Sequence, residues 1–104
     1  MITKNYTKTG KSCRVTFRHT PSEEVKQVRL LGEFNEWGSD STDLLKKRKD
    51  GSFSLTLSIN AGKEYRFRYL LDDNQWENDE QADDYVWNIF GTKDAVLSLE
   101  QNKA

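Results

Sequence analysis

The sequence predicts an all-β fold, an antiparallel β-sandwich of roughly seven strands in a single domain of 104 residues. Three observations lead there. Apolar and polar residues alternate strictly in several stretches, turn-forming residues separate those stretches at short intervals, and no segment carries a helical period. Hydrophobic residues make up 35% and charged residues 32%, while aromatics reach 12%, so the expected core is thin and rich in rings.

Residues 1–12 are polar and lack a period, which predicts a flexible N-terminal arm ahead of a sandwich over residues 13–99 and a tail over 100–104. From Cys13 to Arg18, Cys13, Val15 and Phe17 share one face and Arg14, Thr16 and Arg18 the other, the pattern of a half-buried strand. The run Thr20 to Glu24 has turn chemistry around the only proline, Pro21. Val28 to Leu31 is the second strand, followed by a loop rich in Gly, Ser and Asp to about Asp43. Leu44 to Lys49 contains four consecutive cations, Lys46 to Lys49, and reads as an edge strand whose lysines discourage edge-to-edge pairing; an anion patch is the alternative. Asp50-Gly51 favours a tight hairpin turn. Next, Phe53, Leu55, Leu57 and Ile59 alternate with serines and a threonine. After Asn60-Ala61-Gly62, Tyr65, Phe67, Tyr69 and Leu71 share one face, leaving Arg66, Arg68 and Leu70 outside. Asp72 to Gln75 is a turn delivering Trp76; Tyr85 to Phe90 and Ala95 to Leu99 complete the set.

Composition also narrows function. The net charge is −1 with cations spread along the chain, which lacks the footprint of a nucleic-acid binder. No apolar run suits a membrane span or a signal peptide, so the expected location is cytoplasmic and no membrane partner is expected. Cys13 is the single cysteine, and its alternation with Val15 and Phe17 predicts a buried structural thiol. His19, the single histidine, lies beside a turn and reads as a surface residue without a catalytic role. The acidic stretch Glu77 to Asp84 lacks the ligand spacing of a calcium loop and reads as solvated surface. No nucleophile, phosphate-cradling or metal motif occurs, so neither an enzyme activity nor a cofactor or metal is expected.

Val28 to Trp37 reads V-R-L-L-G-E-F-N-E-W. Gly32 permits a turn without a Cβ clash, and Trp37 either fills the core beneath the loop or stands out as a flat platform beside Asn35 and Glu36; local sequence favours the core. The stretch nevertheless resembles the G-x-F-N-x-W signature of carbohydrate-binding module family 48, the isoamylase N-terminal type. Four further blocks match in order: D-G-S-F at Asp50 to Phe53, A-G-K-E-Y-R-F-R-Y-L-L-D at Ala61 to Asp72, Q-W-E-N-D at Gln75 to Asp79 and F-G-T-K-D-A-V at Phe90 to Val96. This resemblance implies an immunoglobulin-like early-set sandwich, similar to free-standing bacterial isoamylase early-set proteins.

It also implies a site. In glycogen-binding members the two matching Trp residues, here Trp37 and Trp76, stack on sugar rings, and a strand cation matching Arg68 bonds the sugar. Phe90 and Thr92 match the residues flanking the late Gly, and Asp94 replaces an Asn. Ionised Asp94 accepts hydrogen bonds but cannot donate them. Asp73-Asn74 stands where many members have one Gly. The implied ligand is an α-glucan, as glycogen, starch or a maltooligosaccharide, with a separately encoded glucan-active enzyme as a further partner; a glycoside hydrolase label would reflect similarity only. Trp87, where relatives have a small residue or Pro, enlarges the platform or joins the core. The competing reading is a protein-interaction module of the same fold, with Trp37, Trp76, Trp87 and Phe90 as its patch.

Overall fold

The computed structural model describes residues 2–21, 24–38, 43–72 and 75–100. Among these the chain forms ten strands: β1 (Ile2–Tyr6), β2 (Ser12–His19), β3 (Val28–Gly32), β4 (Asp43–Leu44), β5 (Lys46–Lys47), β6 (Phe53–Asn60), β7 (Glu64–Leu71), β8 (Gln75–Glu77), β9 (Asp84–Trp87) and β10 (Lys93–Ser98). A 3-10 segment at Glu33–Gly38, kinked at Asn35 to Trp37, follows β3. One sheet has the order β1-β2-β6-β5; the other runs β4-β3-β7-β10-β9, with β8 added to β7. Every pairing is antiparallel. No helix among the described residues is long and apolar enough to cross a membrane.

The alternation predicted for β2, β6 and β7 places their apolar faces between the sheets. Cys13, Val15 and Phe17 are fully buried, as are Phe67 and Tyr69 of β7 and Leu30 of β3. Phe17 meets Phe67 edge-on at 5.4 Å between ring centroids, and Phe34 from the 3-10 segment enters beside Phe17, Tyr65 and Phe67. Burial pushes the Cys13 thiol above its ordinary range, which keeps it an inert packing group.

Seven strands were expected and three differences raise the number. First, Ile2–Tyr6 is a strand on β2 where a polar arm was expected. Ile2 packs on the core, and the Lys4 amine bonds Asp83 at 2.8 Å and the Ser98 carbonyl at 2.9 Å. Anchors this sparse leave no periodic signal. Second, the expected edge strand over Leu44 to Lys49 changes sheets at Leu45, whose buried side chain marks the crossing. Leu44 pairs with Arg29 of one sheet, and Lys46 with Ser54 of the other. Both pieces are edges, as expected. Third, β8 forms from only three residues after the turn at Asp72. The turn at Thr20–Glu24, the loop through Ser39 and Asp40, the Asp73–Asn74 insertion and the tail lie wholly or partly outside the described residues.

Gly32 is required for closeness rather than for a left-handed turn. A Cβ there would stand 2.8 Å from the Arg66 carbonyl oxygen, 2.8 Å from the Phe67 Cβ and 2.9 Å from the Phe34 ring. Two of these neighbours belong to β7 and cannot yield. Gly32→Ala is therefore expected to destabilise the fold by about 3 kcal/mol, the upper range for overpacking. Urea unfolding monitored by tryptophan fluorescence checks this; a loss under about 0.5 kcal/mol would mean that β3 can shift away from β7.

Candidate functional site

The outer face of β7 carries Arg66, Arg68 and Leu70, because Tyr65, Phe67, Tyr69 and Leu71 take the core face. Trp76 of β8 pairs with Leu70, so its indole projects on that same outer face. The Arg68 guanidinium lies 5.1 Å from the Trp76 ring centroid, a cation–π contact with the ring 45% exposed. Arg68 Nε is shielded from solvent and has no hydrogen-bond partner among the described residues. The indole face is therefore what steadies this guanidinium.

A three-residue strand is not stable alone, and two polar contacts made just after Trp76 hold it. Glu77, adjacent to Trp76, bonds His19 Nε2 at 2.8 Å, which ties β8 to β2 in the opposite sheet. His19 is only 7% exposed and stacks on Tyr69 with 4.3 Å between centroids. Its expected surface position is thus corrected: the last inward slot of β2 belongs to it. Beyond β8, the fully buried Asp79 accepts the Tyr69 hydroxyl at 2.9 Å and the Gln81 amide at 2.8 Å, while the Tyr85 hydroxyl donates to the Asp79 carbonyl. The acidic stretch is not uniformly solvated surface, because one of its carboxylates is a core group. Among the described residues no cluster of three or more His, Cys, Asp or Glu is placed to hold a metal.

The turn between β9 and β10 is built on Asn88, which the sequence reading missed. Its Oδ1 accepts from the Phe90 and Thr92 amides at 2.9 and 3.2 Å, and its Nδ2 donates to Thr92 Oγ1 at 2.8 Å and to Asp94 Oδ1 at 3.1 Å. An Asn bonding the amide two residues on is a turn signature, and W-N-I-F-G-T carries it. Fastened this way, the turn leaves Phe90 83% exposed with Thr92 beside it, while Asp94 is buried against Asn88. Asn78 donates from its side chain to the Lys93 carbonyl at 2.8 Å, joining the end of β8 to the start of β10. Trp76, Arg68, Thr92 and Asp94 thus belong to one neighbourhood. Trp87 is not core: it is 67% exposed, pairs with Lys93 and has the Lys93 amine 4.9 Å from its ring centroid. Register puts it on the face of β9 opposite Val86 and Asp94.

Trp37 stands on the flank between β3 and β4, 40% exposed. Each residue before it has a separate job. Gly32 allows the close approach, Phe34 enters the core, and Asn35 clamps the segment: its Oδ1 accepts the Gly32 amide at 2.9 Å, and its Nδ2 donates to the Leu30 carbonyl at 2.8 Å and Asp43 Oδ2 at 3.0 Å. Glu36 and Trp37 then adopt left-handed backbone at φ 52° and 55°. Two consecutive non-glycine residues in that region cost about 1 kcal/mol each, and the clamp holds them there. The core position favoured by local sequence is not what Trp37 occupies.

No family model matches the sequence, and no curated protein matches it. Among solved structures the chain is similar to apo pullulanase from Paenibacillus barengoltzii, with a TM-score of 0.52 and 22% identity. The likeness is one of fold. It covers 91% of this chain but 14% of that enzyme, so the chain spans a small part of that protein's length.

The Tyr69–Asp79 contact carries a pH signature. Burial first, and then the nearby Asp79 charge, raise the Tyr69 hydroxyl far above its ordinary pKa of 10.0. Its folded state keeps the proton when the unfolded chain has lost it, so this contribution is intact below about pH 10 and falls as pH rises beyond that. Tyr69→Phe is expected to cost about 2 kcal/mol at pH 7 by leaving Asp79 short of a donor, and to remove this part of the alkaline loss. Denaturant titrations of both proteins from pH 7 to 11 check it; parallel pH profiles would refute the assignment.

Proposed function

We propose that this chain is a non-catalytic α-glucan-binding module of the carbohydrate-binding module family 48 type. The observation that carries the reading is the exposed Trp76 indole braced on the outer sheet face by Arg68. A pyranose presents an apolar C–H face and a rim of hydroxyls, so it suits a flat ring with charged and polar neighbours. The guanidinium covers one face of the indole and leaves the other for the sugar. Trp37, on its clamped segment, supplies the second ring, and Phe90 and Thr92 on the fastened turn extend the surface. Asp94 acts through Asn88, with its carboxylate already engaged, and so sets the turn rather than offering a rim acceptor. Likeness in fold to part of a pullulanase, an enzyme named for an α-glucan, supports the same class of ligand. Glycogen, starch and maltooligosaccharides are the candidates, and a separately encoded glucan-active enzyme is a fitting partner.

A second reading, a protein-interaction module, is favoured by one feature: Trp87, Ile89 and Phe90 lie within four residues and are 67%, 93% and 83% exposed. Glucan binding accounts for Phe90 but not for Trp87 or Ile89.

If a sugar covers about 100 Å² of one indole, area transfer at roughly 25 cal/mol/Å² gives about 2.5 kcal/mol. Wild-type affinity for a maltooligosaccharide is then expected in the micromolar to millimolar range, on the order of −4 to −8 kcal/mol. Trp76→Ala should weaken it roughly 50-fold. Electrophoresis through gels containing amylopectin, with chemical-shift mapping against maltoheptaose, checks both predictions. Wild type that migrates unretarded favours the interaction-module reading; retardation unchanged by Trp76→Ala and Trp37→Ala removes the site.

A further inference from the structure

We propose that the outer face of the β1-β2-β6-β5 sheet holds a second site, for a phosphoryl oxyanion, centred on Ser54. Register places Arg18 of β2, Ser54 of β6 and Lys46 of β5 side by side across three strands. Arg48 adds a second guanidinium, donating from Nη1 to Ser54 Oγ at 3.3 Å. An open groove of about 850 Å³ runs over this row, lined by Arg18, the cations at 46–49 and the Ser54 and Thr56 hydroxyls.

Charge segregation separates this face from an ordinary solvated edge. The chain as a whole has 16 cations and 17 carboxylates, yet among the described residues the groove gathers five cations around one carboxylate, Asp50. That carboxylate is already engaged. Asp50 Oδ1 accepts the Ser52 hydroxyl at 2.6 Å and the Ser52 amide at 3.0 Å, and Oδ2 pairs with Arg18. Protection of an edge against strand pairing accounts for Lys46 and Lys47, which lie on β5 at the end of the sheet. It does not account for Arg18, since β2 is flanked by β1 and β6. Nor does it account for Arg48, which lies past the end of β5 and folds onto Ser54.

The donor set selects the ligand. The Arg48 guanidinium, the Lys46 amine and the Ser54 hydroxyl share one face with Arg18, whose guanidinium also bonds Asp50 and Ser52, and a row spanning two inter-strand spacings, about 10 Å, suits a compact multivalent oxyanion. An acidic peptide strand would instead need a long open edge, and β5 has two residues. The oxyanion is a phosphate ester, from either a soluble sugar phosphate or a phospholipid headgroup. This site lies on the sheet opposite Trp76, so it stands or falls independently of glucan binding.

The test is a titration of the 15N-labelled full chain with inorganic pyrophosphate, followed by amide shifts, with sodium chloride at matched ionic strength as the reference. Saturable shifts centred on Lys46, Arg48, Ser54 and Thr56 are expected, with binding weakened at least tenfold in the Lys46→Gln/Arg48→Gln double variant. Both positions are exposed, and retention of the wild-type amide pattern elsewhere in that variant shows that it folds. Asp50→Asn is expected to bind more tightly, because it removes an opposing charge while keeping an Oδ1 acceptor for Ser52. Glucose 6-phosphate and vesicles containing phosphatidylinositol 4-phosphate then distinguish the source: the one that competes with pyrophosphate is the natural class. Shifts that chloride reproduces, shifts centred elsewhere, or equal affinity in the double variant would overturn the proposal.

Discussion

The hydrogen bond from Tyr69 to Asp79 is the contact on which the arrangement of the sandwich's second sheet depends. Tyr69 sits at the middle of the core, stacked on His19 and edge-on to Phe67 at 5.8 Å between centroids. A fully buried carboxylate is expensive unless its acceptors are filled, so the chain after β8 must bring Asp79 to that hydroxyl. Once it does, the direction of Gln75–Glu77 is determined, and Glu77 falls within reach of His19. Trp76, the residue before Glu77 in the alternation of the strand, is thereby turned outward. Its display is thus set by contacts in the core, and Arg68 braces the indole on the surface.

The two faces of β7 divide the labour. Rings on the inner face supply the area transfer that a lean chain needs, while on the outer face Arg68 braces an aromatic. On the other flank, β3 repeats this division through the 3-10 segment, where Phe34 goes in and Trp37 stays out. The strain at Glu36 and Trp37 is sustainable because Asn35 makes three hydrogen bonds immediately before it. The clamp and the left-handed backbone after it together hold the Trp37 indole at the surface.

Much of this was legible in the sequence, and the parts that were not share a cause. Strands with period-two alternation, such as Ser12–His19 and Glu64–Leu71, announce themselves because each buries a whole face. β1 does not, since Ile2 and Lys4 anchor it by side chains that alternate with nothing. β8 and the two-residue strands are too short for any period. His19 and Asp79 were misjudged because a polar residue's burial depends on a partner far along the chain, 58 positions from His19 to Glu77, and local reading sees only the polarity. Of the resemblance-implied residues, Arg68 and Trp76 are in direct contact, whereas Trp37 occupies the other flank of β3.

Asp94 is engaged within the β9–β10 turn rather than open to solvent. The resemblance implies an Asn at that position. In this chain the amide and the carboxylate are distributed over two residues, with the amide on Asn88 and the carboxylate on Asp94, joined at 3.1 Å. Asn88 uses Oδ1 on the backbone of the turn, so its Nδ2 needs acceptors, and Asp94 provides one that an Asn would match only in one flip state. The carboxylate is largely removed from water by this contact. What it contributes is the rigidity of the Asn88–Thr92 turn, and through that turn the outward placement of Phe90. The shape of this end of the surface is therefore set by a buried pair rather than by groups left open to solvent.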